Sequence, residues 1–86
     1  MMKLNFTKNF IRDYRKLPLE IREIIDKQLE LLLSNPKHPS LNIKKMKDPR
    51  NIWEGRITAS YRFTFQIIKG SYIMRKAGTH DILRKP

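Results

Sequence analysis

Three arginines, a glutamate and a histidine in the C-terminal half are the side chains whose types and spacing could do chemistry. Glu54, Arg56 and Arg62 lie in segments that alternate apolar and polar residues, Arg75 lies in a third such segment, and His80 follows it in Gly78-Thr79-His80-Asp81. Guanidiniums gathered on one face repel one another unless an anion lies between them, so the cluster predicts a phosphate site. Imidazole ionises at about pH 6.5, which suits proton transfer near neutrality. Asp81 could orient that ring, although capping a terminal turn is its favoured role. Arginines and a histidine without a metal-binding cluster fit attack of an RNA 2′-hydroxyl on the adjacent phosphate. Arginine would stabilise the charge that accumulates on phosphorus-bound oxygens, and His80 would protonate the departing 5′-oxygen. A solvated sheet face with scattered arginines is the ordinary alternative. The sequence offers no comparable case for a nucleophilic serine or cysteine, a glycine-rich phosphate loop or a carboxylate-bridged magnesium site, so no metal and no cofactor are expected.

The elements that would position these groups follow from periodicity. Lys3 to Phe6 alternates as a short strand, and Thr7 offers an N-cap for a helix in which Phe10, Tyr14 and Leu17 recur at helical spacing. Pro18 disfavours helix at Leu17 and suits the first turn of a second helix. That helix runs to about Leu33 with an apolar stripe of Ile21, Ile24, Ile25, Leu29 and Leu32. Ser34 to Ser40, with two prolines, is a break; His38 within it reads as structural or exposed. The basic connector Asn42 to Arg50 comes next. From Ile52 the period becomes two, giving antiparallel strands over Ile52–Thr58, Tyr61–Ile68 and Ser71–Ala77 with a turn at Lys69-Gly70.

Tyr61, Phe63, Phe65 and Ile67 must share one face of the middle strand, and Arg62, Thr64 and Gln66 the other. Pairing Ile57 with Phe63 and Thr58 with Arg62 puts Trp53 on the aromatic face and implies a three-residue connection, Ala59-Ser60-Tyr61. The turn at Lys69-Gly70 then sets Met74 opposite Phe65 and Arg75 opposite Thr64. Glu54, Arg56, Arg62 and Arg75 converge on the face away from the helices. The expected architecture is α+β: an N-terminal strand and a helical hairpin packed on one face of a small antiparallel sheet, as a single domain over residues 1–86.

Composition narrows the partners. Nineteen Lys and Arg against 8 Asp and Glu leave a formal charge of +11 on 86 residues, and neutralising phosphates releases counterions without any sequence readout. Nucleic acid or an acidic protein is the partner this implies. A membrane surface is not, because the cations are dispersed rather than lining one amphipathic helix. With no cysteine and 2 histidines, neither disulfides nor a structural zinc is expected, and a reducing cytoplasm is the expected location. There is no apolar run of signal-peptide length at the N-terminus.

Trp53-Glu54-Gly55-Arg56-Ile57-Thr58, then Tyr61-Arg62-Phe63-Thr64-Phe65, then Gly78-Thr79-His80 closely resemble the RelE/ParE toxin superfamily, and most of all its RelE, YoeB and YafQ branches. The resemblance covers nearly the whole chain. It implies the toxin of a type II toxin–antitoxin system, a ribosome-dependent messenger RNA endonuclease silenced by a cognate antitoxin, with operator DNA bound only through the antitoxin complex. By position, Arg62 corresponds to the phosphate-stabilising arginine and His80 to the acid/base histidine. Lys47 and Lys45 correspond to connector lysines that meet RNA, Arg56 matches a frequent hairpin arginine, and Arg75 matches more loosely. The YoeB-type pair of connector glutamate and penultimate tyrosine is not obvious, since Asp48 or Glu54 would have to replace the glutamate and the tail Leu83-Arg84-Lys85-Pro86 lacks an aromatic residue. The general base is therefore open. Glu54 shares the Arg62 face and could serve, although a salt bridge to Arg56 is its favoured role, and Lys47 with a lowered pKa could hold the 2′-oxygen. The same fold would also accommodate a ParE-like inhibitor of DNA gyrase or a non-catalytic basic binding module. A proton donor beside a phosphate site favours the nuclease. An acidic, largely unfolded antitoxin segment would suit the basic surface, covering Arg62 or displacing the tail after Ala77.

Overall fold

Thr7 starts the first helix as its position suggests, and it does more than cap it. Its hydroxyl oxygen accepts from the Phe10 N–H at 3.1 Å and donates to the carbonyls of Met74 and Arg75 at 2.9 and 3.1 Å, tying the helix to the last strand. The computed structural model describes residues 1–86. In chain order they form β1 (Lys3–Phe6), α1 (Lys8–Lys16), α2 (Leu19–Ser34), a 3-10 turn (Pro39–Leu41), β2 (Lys44–Lys45), β3 (Trp53–Arg56), β4 (Tyr61–Ile68), β5 (Ser71–Thr79) and a second 3-10 turn (His80–Arg84). Pro18 takes the N-cap of α2 and Leu17 the extended C-cap of α1, so the proline separates the helices as expected. No helix is long and apolar enough to cross a membrane.

The sheet has five strands in the order β1-β5-β4-β3-β2. It is mixed rather than purely antiparallel, because β1 lies parallel to β5, with Lys3 opposite Ser71 and Phe6 opposite Met74. The helical hairpin supplies the crossover that a parallel neighbour requires. β2, inside the basic connector, adds an edge strand that the sequence pattern did not show: Lys44 pairs with Glu54 and Lys45 with Trp53.

Two registers differ from expectation. Trp53 pairs with Phe65, Gly55 with Phe63 and Arg56 with Arg62, two residues away from the Ile57–Phe63 pairing. The shift preserves parity, so the aromatic face survives, and the connection is the four-residue loop 57–60. Its cause is Phe63, whose ring lies over the bare Cα of Gly55; a Cβ built there would fall 2.3 Å from the ring. The second difference is a β-bulge: Phe65 faces Met74 as expected, but Thr64 faces Lys76, leaving Arg75 as the extra residue.

Phe10, Ile25, Leu32, Leu41, Phe63, Phe65 and Met74 fill the space between hairpin and sheet and are almost wholly excluded from water. On α2 the buried positions are Ile25, Gln28, Leu29 and Leu32, while Ile24 is exposed. Gln28 is tolerated because its amide donates to the carbonyls of Ser40 at 3.2 Å and Arg56 at 2.8 Å. His38 caps the first 3-10 turn, its ring nitrogen accepting from the Ser40 N–H at 3.1 Å.

Between β2 and β3 the chain turns on a short ion pair. Asp48 accepts from the Arg50 main-chain N–H at 2.8 Å and from its guanidinium at 3.0 and 2.8 Å. These bonds, helped by the Arg50 and Arg75 charges, lower the Asp48 carboxyl to about 2.

Two outcomes follow from this architecture. Gly55→Ala forces the Phe63 ring out of its place and costs about 1–3 kcal/mol, read as a lower urea midpoint with an unchanged slope. Because the folded loop favours ionised Asp48, the stabilisation is complete above about pH 4 and is lost as pH falls towards about 2. Protection of the Arg50 amide relative to its intrinsic exchange rate should therefore fall across that window, and Asp48→Asn should abolish the dependence.

Candidate active site

Arg56 and Arg62 stand directly opposite each other on β3 and β4, on the sheet face away from the helices. Like charges at such a pair are unfavourable unless something intervenes. The backbone of the adjoining loop does so. One guanidinium nitrogen of Arg62, Nη1, donates to the carbonyls of Thr58 (2.6 Å), Ala59 (3.0 Å) and Tyr61 (3.0 Å). Its Nε and Nη2 make no hydrogen bond within the chain, so the fork is fixed by one corner and open at the others. The Arg56 side chain is exposed and forms no ion pair.

The loop itself is locked by Thr58, whose hydroxyl oxygen accepts from the Ser60 and Tyr61 N–H groups, both at 3.2 Å. Its Ser60 carbonyl then accepts from the His80 main-chain N–H at 3.1 Å. A single loop thus holds Arg62 by the side chain and His80 by the backbone. The imidazole is largely solvent-accessible, with Nδ1 3.9 Å from Asp81 Oδ1, too far for a hydrogen bond. Thr79, not Asp81, occupies the N-cap of the last 3-10 turn, and Asp81 lies in its first turn.

Glu54 shares this face, half-buried and opposite Lys44. It has no ion pair with Arg56 and accepts no hydrogen bond, so the salt bridge favoured from sequence does not form. Asn42, Lys44, Glu54, Arg56, Arg62, His80 and Leu83 line one cleft. Three fixed cations there face one carboxylate. That arrangement can bind a phosphodiester, place an imidazole beside it and offer a carboxylate as proton acceptor.

The remaining candidates lie elsewhere. Lys45 points to the opposite face, its ammonium 5.9 Å from the Trp53 ring centroid. Lys47 is exposed in the connector beyond β2. Arg75 is on the cleft side of the sheet but outside the cleft, donating through Nε to the Pro86 main-chain oxygen at 3.2 Å and through Nη1 to Gln66 at 3.3 Å. The tail between His80 and Pro86 runs between Arg62 and Arg75, so the three arginines do not meet. Sequence reasoning missed Lys44, Asn42 and Leu83. Pairing Lys44-Lys45 with β3 would have exposed Lys44 by parity, but a two-residue strand has no period to read. Asn42 is placed by a left-handed backbone (φ 45°) ending the first 3-10 turn, a conformation asparagine adopts more readily than most residues.

No protein-family model matches the chain, and no curated protein matches it. Solved structures do. A copper-bound mutant toxin from Helicobacter pylori superposes with a TM-score of 0.80 at 23% identity, covering 96% of this chain and 99% of that one. RelE in the RelB–RelE antitoxin–toxin complex from Methanococcus jannaschii gives 0.74 at 26% identity, over 94% and 95%. YafQ from E. coli gives 0.73 at 11% identity, over 96% and 98%. Over nearly its whole length the chain has the fold of the RelE/ParE toxin superfamily.

Proposed function

We propose that the chain is the toxin of a type II toxin–antitoxin system and that it cuts messenger RNA on the ribosome, in the cytoplasm, without a metal ion. The observation that carries this reading is the common anchoring of Arg62 and His80 by the loop 57–60 in a cleft that also holds an unpaired carboxylate. In the reaction the ribose 2′-oxygen attacks the adjacent phosphorus while Glu54 takes the 2′-proton. The free corners of Arg62, together with Arg56 and Lys44, neutralise charge on the non-bridging oxygens. The bond to the 5′-oxygen breaks as protonated His80 gives that oxygen a proton. The products are a 2′,3′-cyclic phosphate and a free 5′-hydroxyl. With Glu54 free of Arg56 and Lys47 outside the cleft, the carboxylate is the better candidate base; Lys47 would meet RNA beyond β2, and Lys45, turned to the other face beside Trp53, would meet only RNA that wraps the β2 edge. Arg75, expected as a further RNA contact, is engaged by the tail.

Likeness to a RelE crystallised with its RelB supports a protein antitoxin as the silencing partner. An acidic segment of that antitoxin would complement the +11 surface while it orders, and operator DNA would be reached only through that complex.

Mapping message 5′ ends after adding purified protein to a translating extract tests the reading. New ends inside coding regions are expected only when ribosomes are present. Arg62→Ala and His80→Ala should lower cleavage by about 10²-fold or more, and Glu54→Gln by a comparable factor. Intact messages with undiminished translation would reject the nuclease.

A further inference from the structure

His80 is presented from a tail, and nothing on its own side chain fixes it: the ring is exposed and its one charged neighbour is 3.9 Å away. Its placement has to come through the backbone. At the front the Ser60 carbonyl holds the His80 N–H. At the far end Pro86 is buried, and its main-chain oxygen accepts from Thr64 Oγ1 and from Arg75 Nε, each at 3.2 Å. Thr64 is fully excluded from water, and the Pro86 oxygen is the hydrogen-bond partner of its hydroxyl. Arg75 is turned towards the tail by Gln66, whose side-chain oxygen accepts from Nη1. In the middle Ile82 lies on Gly78, where a Cβ would stand 3.0 Å from Ile82 Cγ2.

The bulge at Arg75 makes this arrangement possible. Continued without it, the Phe65–Met74 register would set Ala77 opposite Arg62 and turn Gly78 towards the helices. With the extra residue, Ala77 pairs with Phe63 and enters the core, while Gly78 pairs with Arg62 on the cleft side. His80, two residues on, leaves the sheet on the face where Arg62 waits.

We propose that the bulge at Arg75, with Thr64 and Gly78, forms a latch that seats the tail on the sheet and thereby holds His80 in the cleft. Thr64, Arg75 and Gly78 are positioning residues for the reaction proposed above, and their catalytic consequence rests on that reading. The latch itself is a property of the chain alone.

The test uses the full chain with Thr64→Val, which keeps the buried volume and removes the hydroxyl, combined with Arg75→Met, which removes the Nε donor and keeps the stem. In this double variant the NOE between Gly78 Hα and an Ile82 methyl and the slow exchange of the His80 amide are expected to be lost. Cleavage kcat should fall about 10- to 100-fold with KM changed by no more than about twofold, since the cleft cations are untouched. Thr64→Ser, which retains the hydroxyl, should behave as wild type. Persistence of the NOE and the amide protection in the double variant overturns the latch. Their loss with kcat unchanged overturns its positioning role. A wild-type chain that cuts no message rejects the nuclease instead, and the NOE and exchange measurements then decide the latch independently.

Discussion

The carbonyl oxygens of Thr58, Ala59 and Ser60 turn towards Arg62 and His80, and the cleft depends on that orientation. Arg56 and Arg62 are set opposite each other by strand register, an arrangement that would drive a flexible guanidinium into solvent. Carbonyl dipoles instead take one corner of Arg62, and the next carbonyl takes the His80 N–H. The loop can do this because Ile57, almost wholly buried, pins its first residue to the core. Gln28 of α2 reaches the Arg56 carbonyl from the other side of the sheet. Core packing, helix and cleft are therefore one mechanical unit around a few main-chain oxygens.

Few of the charges take part in holding the fold together. The ion pairs are Arg50–Asp48 and the loose contact between His80 and Asp81, while Lys8, Arg12, Arg15 and Lys16 share a groove on α1 with no acid among them. Stability rests on the apolar layer between hairpin and sheet, and the excess positive charge works against it through self-repulsion. Salt or a bound polyanion relieves that repulsion, which links binding to stability without any conformational change.

Parity was the legible part of the site. Alternation in β3 and β4 was enough to place Glu54, Arg56 and Arg62 on one face and the aromatic residues on the other, and a register slip of two residues left that intact. What parity cannot report is where a bulge breaks it. The extra residue at Arg75 has no signature in the sequence, so Arg75 was assigned to the cluster and the tail's route between the arginines stayed hidden. The parallel pairing of β1 was hidden for a different reason, since a strand's direction relative to a partner as distant in the chain as Ser71 is from Lys3 is decided by the crossover and not by its own pattern. The expected Glu54–Arg56 bridge assumed that neighbours on a face pair up; the strand geometry keeps Glu54 beside Lys44 instead.

β1 precedes the helical hairpin and β5 follows the other strands of the sheet, yet the two are sheet neighbours. During synthesis each helix can begin to form as it emerges, because its main-chain hydrogen bonds are local, whereas α1 and β1 have no strand to pack on or pair with until β5 has left the ribosomal tunnel. The same late segment carries Gly78 and His80. Completion of the sheet and completion of the cleft are thus one folding event, because the segment that gives β1 its partner also delivers Gly78 and His80.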